Sequence, residues 1–199
     1  MRFTTFLLLA LTISITACKK HGLQDNEKKD YSAFLAQSNR HFRGTFDGAS
    51  FYWNFGFNQF QSITGYENGN GICDSTDPAR VVLFGLTSED GAQTRFRLYS
   101  PKYNSGSDEE ISRVFGVGKK KLGDFRTDFS LVIIKDNMVY QSNRFNSTNE
   151  IEILQTQEFT DYRSKKMLRV WFRLDAKLNN SVLADGLMIA EFYGVKMGQ

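Results

Sequence analysis

Cysteine, proline and histidine are scarce in this chain, at two residues each among 199. Scarce histidine removes the commonest hydrolase plans. A Ser-His-Asp or Cys-His relay needs a positioned imidazole, and zinc sites draw on the same residues. His21 lies in a charged N-terminal stretch, which leaves His41 as the one realistic candidate. Two cysteines allow one disulfide at most. The most apolar stretch, from Phe3 to Ile15, is too short to cross a bilayer as a helix, which takes roughly 20 residues. Lys and Arg number 25 against 22 Asp and Glu, a formal charge of +3. A balance so close to neutral gives no case for a nucleic-acid partner.

What the chain does have begins at its N-terminus. Arg2, the apolar stretch to Ile15, small residues at Thr16 and Ala17 and then Cys18 follow one another in the order of a signal peptide with its h-region and processing site. Ile15-Thr16-Ala17-Cys18 resembles the lipobox of bacterial lipoproteins, and the resemblance implies that Cys18 is lipidated and becomes the first residue of the mature chain. Residues 1–17 are then removed, Arg2 with them, leaving 182 residues and a formal charge of +2. Palmitate-type acyl chains contribute roughly 0.8 kcal/mol per buried CH₂, so several together hold a soluble domain on a membrane. With Cys18 carrying lipid, Cys73 has no intrachain partner and reads as a small, half-buried hydrophobe.

Residues 18–40 form a polar tether, rich in Lys19, Lys20, Asp25, Glu27, Lys28 and Lys29. Asp30 is placed to cap a short helix reaching Asn39, with Tyr31, Phe34 and Leu35 on one face. From His41 the apolar period becomes two, and residues 41–199 read as a single β-rich domain. Phe51, Trp53, Phe55 and Phe57 share a face over residues 51–58, and Asp47-Gly48 joins this strand to residues 43–46 in a hairpin. Further strands are predicted at 59–64, 81–86, 94–99, 128–135, 138–142 and 150–159. The cleanest covers residues 168–176, where Leu168, Val170, Phe172, Leu174 and Ala176 alternate with polar positions. Asp185-Gly186 is expected to turn the chain into a last strand at 187–195. Ser107 and Glu110 have capping-box spacing before Ile111, Val114 and Phe115, so one short helix interrupts the strands. With 41% hydrophobic residues and 18 phenylalanines the core is ample. The expected fold is all-β, an antiparallel β-sandwich or barrel-like sheet of about ten strands with one or two short helices.

Several motifs bear on chemistry. Gly116-Val117-Gly118-Lys119-Lys120-Lys121 invites a phosphate-loop reading and fails it. Arg113 stands where the first glycine is required, and no Ser or Thr follows Lys119. A basic hairpin loop or helix-exit turn fits better, with contact to lipid phosphates alongside Lys165-Lys166 as a further reading. Asn68, Asn70, Asp74 and Asp77 offer oxygen ligands suited to calcium, in a Gly/Asn/Asp-rich loop that lacks EF-hand spacing. A plain turn is the competing reading, and no metal or cofactor is expected. Asp74-Ser75-Thr76 resembles the three-residue O-glycosylation signal of Bacteroidota. Asp128, Glu152, Glu158, Asp161, Asp175 and Glu191 lie on or beside strands, where two of them could reach glycosidase separation. Trp171, between Arg169 and Arg173, and Tyr99, beside Arg95 and Arg97, face away from the apolar side of their strands. They are the ligand-binding candidates, able to stack on sugar rings or a protein. The competing reading is cross-strand cation–π packing on a solvated sheet.

The start through Lys19-Lys20, the early hairpin at Phe46-Asp47-Gly48 and the closing Asp185-Gly186 before Ile189-Ala190-Glu191-Phe192 resemble small β-sandwich lipoproteins of Bacteroidota. The resemblance implies a cell-envelope location, held to the outer membrane by the N-terminal lipid. The function expected on this basis is a non-enzymatic binding or accessory module with a glycan or envelope-protein partner. A carboxylate-dependent glycan hydrolase and a purely structural envelope lipoprotein are the alternatives.

Overall fold

The computed structural model describes residues 29–55, 60–68, 79–88, 94–143, 149–193, 195 and 197. The chain divides into two compact units, Met1–Phe34 and Leu35–Gln199. Where the first is described, α1 (Ser32–Leu35) begins behind Asp30, whose carboxylate accepts the Ser32 N–H at 2.9 Å. The helix stops after one turn instead of continuing to residue 39. Past the helix, within the second unit, the Gln37 carbonyl accepts the Trp171 indole N–H and the Arg40 carbonyl accepts the Phe55 N–H, so both are satisfied without helical partners.

Twelve strands are found among the described residues, all laddered antiparallel in two sheets. They are β1 (His41–Phe46), β2 (Ala49–Asn54), β3 (Phe60–Asn68), β4 (Ala79–Ser88), β5 (Thr94–Tyr99), β6 (Tyr103–Asn104), β7 (Gly118–Lys121), β8 (Ser130–Lys135), β9 (Met138–Gln141), β10 (Glu150–Thr160), β11 (Lys166–Leu178) and β12 (Ser181–Tyr193). The first sheet has the order β2-β1-β12-β11-β10-β7, the second β3-β4-β5-β8-β9, with β6 paired to β4. Among the described residues no ladder joins the two sheets, so the fold is an all-β sandwich and not a barrel.

Alternation decides which side chains enter the core. On β11 Leu168, Val170, Phe172, Leu174 and Leu178 are fully buried between the sheets. Phenylalanine does much of the filling. Phe42 meets Phe96 across the sandwich at 4.7 Å between ring centroids, and Phe84 meets Phe192 edge-on at 6.5 Å. α2 (Asp108–Phe115) inserts Phe115 against Phe192 and Phe129. Ser107 caps this helix by accepting the Glu110 N–H, while the Glu110 carboxylate accepts the Asn104 N–H in place of the Ser107 N–H.

Of three local readings, one holds and two change. Asp47-Gly48 does make the β1–β2 turn, with φ of 50° and 78°, the left-handed pair such a hairpin requires. Asp185-Gly186 does not turn the chain. It sits inside β12 as a bulge, where β12 spends one more residue than both neighbours, and Asp185 has φ 52°. A Cβ at Gly186 would come within 2.8 Å of the Leu174 carbonyl, so a bare backbone is required at that crossing. The turn falls earlier, at Asn179-Asn180 between β11 and β12. Finally, β2 ends at Asn54. Phe51 and Trp53 pack on the core, but Phe55, bonded through its N–H to the Arg40 carbonyl, is 44% exposed. Phe57 lies outside the described residues.

Phe172 touches Phe129 and Phe192 at the centre of the core. Phe172→Ala should therefore cost about 3–5 kcal/mol of stability, the range for a buried phenylalanine truncated in a packed interior. Denaturant unfolding of the two proteins checks this, and a loss below about 1 kcal/mol would contradict the packing described.

Candidate functional site

The outer face of the first sheet carries the most elaborate polar structure described. Register places Arg169 of β11 directly opposite Glu191 of β12, and Trp171 opposite Ile189. Arg169 Nε and Nη2 donate to Glu191 Oε1 at 3.0 and 2.8 Å, while Arg40 Nε lies 3.4 Å from Oε2. Glu191 is only 7% exposed, and two guanidiniums compensate its charge. Each guanidinium also covers a ring, Arg40 at 3.7 Å from the Phe55 centroid and Arg169 at 4.5 Å from that of Phe159. Burial holds the Arg40 pKa below its ordinary value. Glu191 works against that shift and Arg169 adds to it.

The stretch just before β1 lies across this face. Trp171 Nε1 donates to the Gln37 carbonyl at 3.0 Å, and His41 Nδ1 is 2.9 Å from the Asn39 carbonyl. A carbonyl only accepts, so Nδ1 carries the proton in that contact. Trp171 is on the outer face as the alternation predicted, but it is 2% exposed. Its ring is therefore not an open stacking platform, because the chain at Gln37 takes its N–H. Arg169 is committed to Glu191, and Arg173 pairs with Asp175 at 2.8 Å and Glu152 at 3.4 Å. Tyr99 lies on β5 in the other sheet, against Phe125 at 4.9 Å, and is not brought together with Trp171.

Beside the Glu191 cluster opens a cleft of about 860 Å³, lined by Arg40, Phe55, Phe159, Glu191, Tyr193 and the turn at residues 161–165. Asp161 builds that turn by accepting the Arg163 and Lys165 N–H groups on one oxygen, at 2.9 and 2.7 Å. Tyr162, at the tip, is 86% exposed, with the Arg163 guanidinium 5.0 Å from its ring centroid. Three cationic side chains, Arg40, Arg163 and Lys165, face the cleft against two carboxylates, Asp161 and Glu191, both already bonded. Stacking and charge recognition are the chemistry on offer. By composition residues 161–166 are a polar turn, from which Asp161 stands among the carboxylate candidates and Lys165-Lys166 as a basic pair, while Tyr162 is not among the ligand-binding candidates. Tyr162, an aromatic residue beside the three cations Arg163, Lys165 and Lys166 at a hairpin tip where polar residues suffice, is the signal that the sequence offers.

The other candidates are dispersed. Lys119 to Lys121 form an edge strand, β7, and not a loop. Lys119 pairs with Glu150 and Lys121 with Asp128, while the Lys120 ammonium donates to the Arg113 carbonyl. Lysines on an edge resist pairing with a foreign sheet. Glu152 faces Lys119 and Thr160 faces Lys166, eight residues apart on β10, or about 26 Å, so the two basic groups do not form one patch. Among the carboxylates, Glu152 and Asp175 share Arg173, and Glu158 accepts the Met197 N–H. Asn68 ends β3, whereas Asn70, Cys73, Asp74 and Asp77 lie outside the described residues, as do residues 1–28 with Cys18. Among the described residues no group of three or more His, Cys, Asp or Glu is arranged to hold a metal ion, and no helix is long and apolar enough to cross a membrane.

Burial pushes the His41 pKa below its ordinary value. The bond to Asn39 opposes that shift and Arg43 reinforces it. The unfolded chain therefore binds more protons than the folded one just below about pH 6.5, the pKa of a free imidazole. His41 contributes stability that is complete above that pH and is lost as pH falls toward the folded value. Thermal unfolding between pH 7 and 5 should show stability falling with pH, and His41→Phe should flatten the slope. An unchanged slope would contradict this. Comparison of the chain with protein-family models, curated proteins and solved structures gives no match in any of the three.

Proposed function

We propose that the protein is a lipid-anchored component of the bacterial cell envelope, held at the outer membrane through Cys18. On this reading its β-sandwich is a non-enzymatic binding or accessory module for a glycan or protein partner. The observation that carries the reading is Tyr162, an aromatic ring 86% exposed at a hairpin tip beside the arginine-lined cleft. A large ring in water contributes nothing to the core, and binding residues are disproportionately carried on loops that a rigid scaffold positions. The cleft volume lies within the roughly 300–1,000 Å³ typical of ligand sites.

Two measurements test the proposal. Labelled palmitate should be incorporated into the full chain produced in a bacterium, and Cys18→Ala should abolish incorporation and move the protein to the soluble fraction. Labelling that survives the substitution would overturn the anchor. The purified mature chain, titrated with a panel of envelope polysaccharides and envelope proteins, should bind at least one of them. Tyr162→Ala should weaken that binding about tenfold, equivalent to about 1.4 kcal/mol, without changing the melting temperature. Binding by no member of the panel, or binding indifferent to Tyr162, would overturn the module reading.

A further inference from the structure

We infer that the cleft takes an acidic glycan, a polysaccharide whose rings carry carboxylates, with Tyr162 as the stacking face and Arg163 and Lys165 as the carboxylate grip. This rests on the binding-module reading and names its partner.

Three features converge. First, stacking surface and charge are contiguous, since the Arg163 guanidinium lies 5.0 Å from the centroid of the exposed Tyr162 ring. The apolar face of a sugar ring on the tyrosine would put its carboxylate within reach of that guanidinium. Second, the charge is surplus. Asp161 spends an oxygen on the backbone N–H groups of Arg163 and Lys165, and Glu191 is taken by Arg169 and Arg40. Arg163 and Lys165 make no ion pair among the described residues, so the mouth of the cleft favours an anion. Third, the excess is small. Three cations against two carboxylates suit single charges spaced along a polymer better than a densely anionic surface.

An anionic membrane would also attract Arg163 and Lys165, but Glu191 and Asp161, which both line the cleft, oppose a phosphate layer, and Tyr162 is the one aromatic residue of the turn. Asp161 acts here as a positioning residue, because it fixes the turn that displays the other three.

The mature chain is titrated with oligogalacturonate, with neutral galactan oligosaccharide of matched length, and with phosphatidylglycerol vesicles. Oligogalacturonate should bind, and the affinity should fall about tenfold or more when Arg163→Gln and Lys165→Gln are combined, as for lost charge-assisted hydrogen bonds. Both positions are on the turn surface, so the variant should keep its melting temperature, and Lys102→Gln elsewhere should leave affinity unchanged. Rising salt should weaken the acidic ligand alone. Equal binding of the neutral oligomer would overturn the acidic assignment while leaving the module reading standing. Vesicles binding in place of both sugars would overturn it in favour of a membrane surface. Binding of none of the three, when an envelope protein is bound through Tyr162, would overturn the glycan assignment and leave the module intact.

Discussion

A carboxylate removed from water costs several kcal/mol unless opposite charge accompanies it, and Glu191 imposes that condition at the middle of the first sheet. Its position is set by the β11–β12 register, which places Arg169 directly across from it. A second guanidinium comes from Arg40, just before β1, so the ion cluster ties the entry of the chain to the central strands. The bonds from Trp171 to Gln37, from Phe55 to Arg40 and between His41 and Asn39 follow the same path. One buried charge thereby determines where the chain crosses the sheet, which aromatics it hides and where the cleft begins.

The sandwich beneath is built on an independent principle. Alternating apolar residues on long strands bury their inner faces against phenylalanines of the other sheet, and α2 adds Phe115. That core tolerates an elaborate outer face because the two sides of β11 answer to different constraints. Leu168 to Leu178 satisfy packing on one side, while Arg169, Trp171 and Arg173 satisfy charge and hydrogen bonding on the other. The edge β7 is guarded by lysines with partners of their own, so its basic character belongs to the edge and not to a phosphate site.

The sandwich was legible in the sequence because period-two alternation and left-handed Asp-Gly or Asp-Asn turns depend on neighbours a few residues apart. Asp47-Gly48 behaves as its chemistry demands, and so does Asp136-Asn137, the two-residue turn between β8 and β9, all four residues having positive φ. Asp185-Gly186 carries the same signal, yet there the left-handed conformation serves a bulge, because β1 and β11 hold the strand on both sides. The site was less legible. Outward placement of Trp171 follows from alternation, but its burial depends on Gln37, 134 positions away in the chain. Tyr162 is illegible for the converse reason, since a turn rich in Asp, Arg, Ser and Lys conceals a ring whose significance lies in its exposure.

The proposed recognition surface for an anionic sugar is the turn at residues 161–165 together with the cleft behind it. A crystal structure of the mature chain with bound oligogalacturonate tests this most directly. It should show a sugar ring stacked on Tyr162 and a carboxylate within hydrogen-bond distance of Arg163 or Lys165. A ligand lodged instead against Tyr99 and Phe125 on the opposite sheet, with the turn untouched, would contradict the account.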